Sequence, residues 1–276
     1  MPEQHPFPDE FSPVGSSSFY AIRFAPPDRH ASLSLVNAFY RTLRSIPVTC
    51  SDPGVATAKL KWWQQEINRS RQSQAQHPIA ISMGALQARY LLPADYFEPL
   101  FQDVDQEIGS VVIESDIELE NHCRHTGALF ADLNAIIGGA DEAHRRSARE
   151  LGSFLRMVEI IRDLGFDLRR NRCFIPIERL QQHQLSPTQL LHNKDEDKLR
   201  ALLSSMTIVQ QQRYKKTLQE ISGRSSLGPL LSMTAMAEKV LHVIHADGYR
   251  RLLQQRTSLT PLHRLWISWR CQRSIR

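Results

Sequence analysis

The pattern that most limits the fold of this chain is a helical spacing of apolar residues that continues over nearly its whole length. The segment RHASLSLVNAFYRTLRSI, for example, places Leu33, Val36, Phe39, Tyr40 and Leu43 at intervals of three and four. This spacing puts apolar side chains on one face of an α-helix. The alternation typical of strands is almost absent. The sequence therefore predicts an all-α protein.

Similar helical segments follow one another to the C-terminus, and neither a break in composition nor an internal repeat divides them. A chain of 276 residues is long enough to bury one large core. We therefore expect one helical domain over residues 16–276, built as a bundle around a central cavity. Residues 1–15 are rich in proline and polar groups, so we expect this segment to be disordered.

Several classes of protein are disfavoured by what the sequence lacks. It contains no run of about 20 apolar residues that could span a membrane, and its N-terminus does not resemble a secretory signal. The four cysteines are scattered without metal-binding spacing, which favours reduced thiols in the cytoplasm. A P-loop, a nucleophile elbow and a dinucleotide-binding glycine pattern are all missing. No nucleic-acid partner is predicted.

Charge is unevenly distributed along the chain. The acidic stretch Asp103–Glu120 is interpreted as a solvated helix face. Residues 250–276 contain seven arginines and no acid, within a sequence of net charge +5. One interpretation is a final helix that packs Leu265, Trp266 and Trp269 on the bundle. The other is a peripheral contact with the inner face of a membrane, with aromatic rings at the headgroup level and arginines near anionic lipids.

The segment IRDLGFDLRRNRCFIP is the first candidate for a functional site. Asp163 and Asp167 are four residues apart, which places both carboxylates on one face of a helix. They are either the charged end of a surface helix or ligands for Mg²⁺, which prefers carboxylate oxygens and shares them with substrate phosphates. In the second case Arg169, Arg170 and Arg172 would bind phosphate oxygens.

Together with two other segments, this one resembles the squalene/phytoene synthase family, whose members join two prenyl diphosphates head to head. SSSFYAIRFAPPDRHASLSLVNAFYR is similar to the opening of the family, and KLKWWQQEI is similar to its leucine–tryptophan helix. IRDLGFDLRRNRCFIPIERLQQHQLSP stands in the place of the second aspartate-rich motif and the segment after it. The resemblance runs from Ser16 to Trp269. It implies a single isoprenoid-synthase-type helical bundle around a deep apolar cavity.

In the family two D-x-x-x-D motifs face each other across the mouth of this cavity, and Mg²⁺ ions bridge them to the diphosphates. By resemblance, Asp163 and Asp167 are therefore metal ligands. The resemblance also implies a set of diphosphate-binding residues, which are Ser16, Ser18, Phe19, Arg41, Arg169, Arg170 and Arg172. No catalytic residue is assigned.

The sequence departs from the family pattern at the first acidic motif. It reads RTLRSIPV, with Arg44 and Val48 where the family has aspartates. His122 and Arg156 also replace the tyrosine and glutamine that the family has near its cavity. We expect Arg44 to lie across the cavity mouth from the second motif and to form an ion pair with Asp163 or Asp167 in place of a metal.

Two hypotheses follow. In the first, the protein binds an isoprenoid diphosphate through Mg²⁺, carboxylates and arginines, and any remaining activity is that of a farnesyl or geranylgeranyl diphosphate transferase. Loss of an electrostatic stabiliser commonly costs a hundredfold in rate, so ordinary condensation of two substrates is not expected. In the second, the protein is a non-catalytic assembly or lipid-binding factor, like the complex I assembly factor of this superfamily. An open apolar tunnel favours the first hypothesis, and a filled interior favours the second.

Overall fold

The structure is a computed structural model that describes residues 5–191 and 195–275, and it confirms the all-α prediction. The α-helices are α1 (Ser17–Arg23), α2 (His30–Thr49), α3 (Pro53–Ser70), α4 (Pro78–Arg89), α5 (Glu98–Gln106), α6 (Asp116–Cys123), α7 (Leu129–Ile137), α8 (Glu142–Leu168), α9 (Ile177–Gln182), α10 (Pro187–Leu191), α11 (Glu196–Glu220), α12 (Gly228–Ala246) and α13 (Pro261–Ile275). Short 3₁₀ turns span Pro27–Arg29 and Arg224–Leu227, and a π-helical segment, Arg124–Ala128, joins α6 to α7.

The long helix α8 is the centre of the bundle. It begins at Asp141, whose carboxylate accepts a hydrogen bond from the backbone N–H of His144 at 2.8 Å and so caps the helix. The helix packs against α7, α11, α12 and the π-helical segment. Its buried face is apolar for most of its length and includes Leu151, Phe154 and Ile161. A helix surrounded in this way can carry polar side chains into the interior of the domain.

A contact between two glycines brings the π-helical segment against α8. A Cβ atom added to Gly127 would lie 2.2 Å from the carbonyl oxygen of Gly152, and a Cβ added to Gly152 would lie equally close to the carbonyl of Gly127. Only glycine permits this approach of two backbones. The same crossing places His122, one turn before Gly127, next to Arg156, one turn after Gly152.

A two-residue parallel pairing fixes a second part of the interior. Strand β1 (Val111–Val112) pairs with β2 (Arg172–Cys173), with Val111 opposite Arg172. Because β1 follows shortly after α5 and β2 follows shortly after α8, this pairing brings Arg172 to the end of α5. The side chain of Arg172 is 3% exposed there.

The N-terminal segment behaves differently from the prediction of disorder over residues 1–15. Residues 1–4 lie outside the described part of the chain, but residues 5–15 make specific contacts with α2. The hydroxyl of Ser34 donates to Asp9 at 2.9 Å, and the amide of Asn37 donates to the fully buried hydroxyl of Ser12 at 2.9 Å. These side-chain hydrogen bonds attach the segment to α2, although its composition alone predicts no ordered structure.

Helix α13 packs with the face opposite to the one that the first interpretation of this segment requires. Ile267 and Cys271 are partly buried and Ser268 is fully buried, with its hydroxyl beside Met236 of α12. Trp266 and Trp269, predicted to pack on the bundle, are 53% and 44% exposed. Leu265 is also exposed, whereas Arg276 lies outside the described residues. Within residues 5–191 and 195–275, no helix has the length and apolar character needed to cross a bilayer.

The close helix crossing yields a prediction for stability. Replacing Gly152 with alanine forces the added methyl group into the Gly127 carbonyl and the side chain of Ala131, so the two backbones must separate. We expect Gly152→Ala to lower the free energy of unfolding by about 3 kcal/mol, measured by urea denaturation. Glu150→Ala, at an exposed position of the same helix, is the control and should change stability by less than about 0.5 kcal/mol. Equal stability of the two variants would contradict the crossing.

Candidate functional site: a buried carboxylate among arginines

The interior polar site is centred on Glu107, the residue that ends α5. Its side chain is only 2% exposed. Leu100 and Val104 lie on the same face of α5 and are buried in the core, and Asp103 lies beside them. The apolar face of the helix therefore also carries two carboxylates into the interior. The interpretation of the acidic stretch as a solvated face is wrong at Asp103 and Glu107.

Three arginines from different elements surround the Glu107 carboxylate. Arg44 of α2 pairs with one carboxylate oxygen, and Arg172 of β2 pairs with the other. Arg172 also donates to the backbone carbonyl of Glu107 at 3.0 Å. Arg156 of α8 lies 3.5 Å from the carboxylate. These contacts join α2, α5, α8 and β2, and we call Glu107, Arg44, Arg156 and Arg172 the Glu107 network.

His122 extends the Glu107 network through Arg156. Nε2 of the imidazole accepts a hydrogen bond from Nε of Arg156 at 3.1 Å, so the proton of the neutral ring is on Nδ1, which lies 3.2 Å from a carboxylate oxygen of Asp103. Burial, with a further contribution from Arg156, lowers the pKa of His122. The ring also packs against Phe174, with centroids 5.1 Å apart. His122 is therefore a neutral, oriented part of the interior.

The pKa values follow from burial and from this concentration of guanidinium groups. Burial alone would raise the pKa of Glu107, but Arg44, Arg156 and Arg172 lower it to about 2. Burial acts against the charge of Arg44, but Glu107 raises the pKa of that guanidinium above its usual value. The Glu107 carboxylate and the Arg44 guanidinium are thus both charged at neutral pH. In the interior, the ionised carboxylate and the ionised guanidinium groups stabilise one another.

Asp163, one of the two predicted metal ligands, forms ion pairs with two arginines. Arg162 donates to both of its carboxylate oxygens, at 2.7 and 2.8 Å. Arg256, from the segment that follows α12, lies 2.8 and 2.9 Å from the same two oxygens. Bidentate pairs of this kind use the lone pairs that a metal would need. The side chain is 13% exposed, so it does not lie on the outer face of the bundle.

Asp167, the second predicted ligand, lies nearer to the Glu107 network. Its side chain is 12% exposed, and Nε of Arg172 is 3.5 Å from its carboxylate. Burial raises the pKa of Asp167, although Arg172 and Arg156 act in the opposite direction. Asp163 and Asp167 thus share the inner side of α8, as their spacing predicts, but each one faces arginine.

Mg²⁺ at this pair of aspartates stays a prediction, and the donors as arranged do not fit the ion. Mg²⁺ needs carboxylates with free oxygens and a local excess of negative charge. Among the described residues that polar contacts link to the Glu107 network and to Asp163, five carboxylates instead meet five guanidinium groups, and they are Asp103, Glu107, Glu159, Asp163 and Asp167 against Arg44, Arg156, Arg162, Arg172 and Arg256. Among the described residues, no group of three or more His, Cys, Asp and Glu side chains could hold a metal.

The residues predicted to contact a diphosphate near the N-terminus mostly have structural contacts. Ser16 caps α1, and its hydroxyl accepts from the backbone N–H of Phe19 at 3.0 Å. Ser18 is buried and donates to a backbone carbonyl at 3.3 Å, and the ring of Phe19 stacks on Phe7. Arg41 is exposed. Their predicted role in binding is neither supported nor excluded by these contacts.

The predicted arginines at the end of α8 are not gathered into one cluster. Arg169 donates to the backbone carbonyl of Leu253 at 2.6 Å, and Arg170 lies over the ring of Phe166, with its guanidinium carbon 3.6 Å from the centroid. Both are exposed, whereas Arg172 is buried in the Glu107 network.

The prediction for Arg44 needs a correction. The sequence predicts an ion pair with Asp163 or Asp167, but the partner in the structure is Glu107. Helix α2 packs against α5, so the end of α5 supplies the acid nearest to Arg44.

The interior next to the Glu107 network is filled. Phe174 is 2% exposed, and the guanidinium carbons of Arg156 and Arg172 lie 5.0 and 5.3 Å from its ring centroid. A cavity of about 190 Å³ does occur elsewhere, between α6, α8, α9 and α11, where Met157, Met206 and Arg213 line it. A second, of about 10 Å³, lies beside Tyr249. Neither is lined by a member of the Glu107 network or by Asp163 or Asp167.

The central residue of the site, Glu107, was missed by the sequence interpretation. A usable signal exists: Asp103 and Glu107 have the same four-residue spacing as Asp163 and Asp167, and they share a helix face with Leu100 and Val104. Acids that fall on the apolar face of a helix must find buried partners. The number of acids in this stretch does not reveal which of them are buried, because neighbouring acids such as Asp105 are exposed.

Comparison with known proteins places the chain in a family. The family model described as squalene/phytoene synthase matches residues 12–263. The chain belongs to the squalene/phytoene synthase family. The match covers α1 to α12 and ends at the beginning of α13.

Individual relatives of this family member include both synthases and an assembly factor. A phytoene synthase of Thermus thermophilus is 24% identical over 166 residues, which are 59% of this chain and 57% of that protein. The chain thus spans little more than half of the length of that relative. A mouse protein named as assembly factor 6 of NADH dehydrogenase (ubiquinone) complex I is 20% identical over 259 residues, which are 92% of this chain and 78% of that protein.

Solved structures share the fold. A dehydrosqualene synthase determined in complex with a ligand superposes with a TM-score of 0.80 at 15% identity, covering 94% of this chain and 91% of that one. A squalene synthase from Alicyclobacillus acidocaldarius gives a TM-score of 0.74 at 18% identity, covering 87% and 92%. The prediction of an isoprenoid-synthase-type bundle is confirmed.

The Glu107 network yields a prediction about stability and pH. Replacing Glu107 with glutamine leaves three guanidinium groups without their shared counter-charge, so we expect Glu107→Gln to lower the free energy of unfolding by about 3–5 kcal/mol at neutral pH. Because the pKa of Glu107 falls from 4.5 to about 2 on folding, its contribution is complete above pH 4.5 and is lost as the pH falls towards 2. The difference between wild type and variant should shrink over that window.

Urea denaturation at a series of pH values measures this difference directly. Glu150→Gln removes a carboxylate from an exposed position of α8 and is the matched control, with an expected change of less than about 0.5 kcal/mol. If Glu107→Gln has the stability of the control, or if its deficit does not depend on pH, Glu107 is not a buried ionised group.

Proposed function

We propose that this protein uses the synthase fold without synthase chemistry, as an assembly factor that binds another macromolecule through its surface. The observation that carries this proposal is the Glu107 network. Arginines and a carboxylate in fixed ion pairs lie at the place where the family pattern calls for a metal clamp. The proposal rests on the charge of the site and on the space around it.

The charge of the site opposes the chemistry of the family. Ionisation of a prenyl diphosphate needs metal ions that neutralise the leaving diphosphate, which is the usual logic of metal-assisted catalysis. Arg44 and Val48 supply no metal ligand, and Asp163 is already neutralised by Arg162 and Arg256. Recruiting a metal to Asp163 would first require breaking two bidentate arginine contacts.

The space around the site is also unsuited to prenyl chains. Pockets for small molecules usually have volumes of about 300–1,000 Å³. The cavity of about 190 Å³ between α6 and α11 is smaller and is rimmed by ion pairs, Arg179 with Asp116 and Arg213 with Glu120. Phe174 and its neighbouring guanidinium groups fill the interior beside the Glu107 network. This filled interior also disfavours a lipid held inside the bundle.

Relatives of both kinds match most of the chain and do not decide between the two roles. The match to the complex I assembly factor extends over 92% of this chain, and the match to a phytoene synthase of Zea mays extends over 85%. The likeness to solved synthases is at 15–18% identity and concerns the fold alone.

Binding of an isoprenoid diphosphate is the second candidate function. It is favoured by the exposed Arg169, Arg170 and Arg256 near the end of α8, which could hold phosphate oxygens without a metal. In that case a prenyl diphosphate would bind at the surface of the bundle and would not be consumed.

Incubation with farnesyl or geranylgeranyl diphosphate and Mg²⁺ tests the proposal. We expect no diphosphate release above the protein-free background and no change in Tm, because Glu107 and Asp163 are paired with arginines and Phe174 fills the interior beside them. An active phytoene synthase is the positive control for the assay. A rise in Tm without diphosphate release would support the second candidate, and this rise should disappear in Arg169→Gln with Arg170→Gln. Mg²⁺-dependent release of diphosphate would overturn the proposed function.

A further inference from the structure

The outward face of α13 is an unusual surface of this protein. Leu262, Leu265, Trp266 and Trp269 are 77%, 39%, 53% and 44% exposed. Their spacing places them on one side of the helix. In the described part of the chain, no other helix exposes more than two large hydrophobic side chains. We call this set, with Arg270 and Arg273, the α13 stripe.

The orientation of α13 is fixed by its opposite face. Ser268 is fully buried beside Met236, and Ile267 is partly buried against the core of the bundle. Arg264 donates to the backbone carbonyl of Gly15 at 2.7 Å and so ties the helix to the N-terminal segment. Rotating the helix to turn the tryptophans inward would break the contact of Ser268 with Met236 and the hydrogen bond of Arg264 to Gly15. Exposure of the stripe is therefore a property of the folded bundle.

Arginines complete the stripe. The guanidinium of Arg270 lies 5.3 Å from the ring centroid of Trp266, and that of Arg273 lies 4.7 Å from the ring of Trp269. At these cation–π distances each positive charge lies over the ring of an exposed indole. Residues 250–276 contain no acid, so the charge beside the rings is not neutralised within this segment.

We propose that the α13 stripe is a binding surface for an anionic lipid membrane, on which the helix lies parallel to the plane of the bilayer. Indole rings with one apolar and one polar side are well suited to the headgroup region. Arginines beside them meet the negative surface potential, and each strengthens binding about fivefold. Along the axis, residues 262 to 273 extend over about 16 Å, which matches a helix lying in the interface.

Two further observations favour a membrane over a protein partner. Val14, 72% exposed, precedes the Gly15 to which Arg264 is bonded, so the N-terminal segment adds an exposed apolar side chain beside the start of α13. The stripe also combines apolar and aromatic side chains with arginine and presents no acid, which is the composition of helices that lie on anionic membranes. All of the stripe except Leu262 lies beyond residues 12–263, the region that matches the family model.

Flotation of the full chain with vesicles tests this proposal. We expect binding to phosphatidylcholine vesicles that contain phosphatidylglycerol, weak or no binding to phosphatidylcholine alone, and release by salt. Arg270→Gln with Arg273→Gln should weaken binding about 25-fold. Trp266→Ala with Trp269→Ala should weaken it about tenfold or more, because both indoles leave the interface.

Matched variants at exposed positions elsewhere are the controls. Arg89→Gln with Arg146→Gln removes the same charge from α4 and α8, and Trp62→Ala removes an exposed indole from α3. Both should bind vesicles like wild type, and circular dichroism checks that every variant is folded. Absence of binding to anionic vesicles at low salt, or equal loss in the α13 variants and the controls, would overturn the proposal. Self-association that is lost with the two tryptophans, without vesicle binding, would assign the stripe to a second copy of the chain instead.

Discussion

The arrangement of the interior depends on one buried negative charge. Glu107 is held in the core, where an isolated carboxylate would be strongly destabilising, because three guanidinium groups from distant parts of the chain meet it there. Without Glu107, the three guanidinium groups would lack a counter-charge and would destabilise the folded protein. The network therefore couples α2, the end of α5, α8 and β2. The two-residue strand pairing and the Gly127–Gly152 crossing matter because they deliver Arg172 and Arg156 to it.

In the proposed function, the same constraint separates this family member from synthase chemistry. A bundle of this kind can collect negative charge around its cavity and let metal ions neutralise it, or it can neutralise that charge with its own side chains. Here arginine supplies the positive charge: Arg44 faces Glu107, and Arg162 and Arg256 face Asp163. Carboxylates paired with arginine leave few free oxygens for the metal ions that would neutralise a leaving diphosphate. The surface, in particular α13, then becomes the more promising place for function.

The fold was largely predictable from the sequence, because periodic apolar residues and proline or glycine boundaries are local signals. The spacing of Asp163 and Asp167 predicts that they share one face of a helix, and the resemblance to the family predicts that this face is turned inward. The pairing of Arg44 was not predictable in the same way, since it depends on which helix packs on α2. The sequence left open whether Trp266 and Trp269 pack on the bundle or are exposed. Both faces of α13 carry apolar residues, and only tertiary packing through Ser268 selects between them.

The most direct test of the central claim is the titration of the Glu107 carboxyl itself. In protein labelled with ¹³C at the glutamate carboxyl carbons, its NMR signal is assigned by comparison with Glu107→Gln. The Glu107 network predicts that this carboxyl stays ionised through the acid range in which the protein remains folded, in keeping with a pKa of about 2. It also predicts no shift of the signal with millimolar Mg²⁺. Titration near the ordinary value of 4.5, or a shift of the signal on adding Mg²⁺, would contradict a carboxylate committed to arginine.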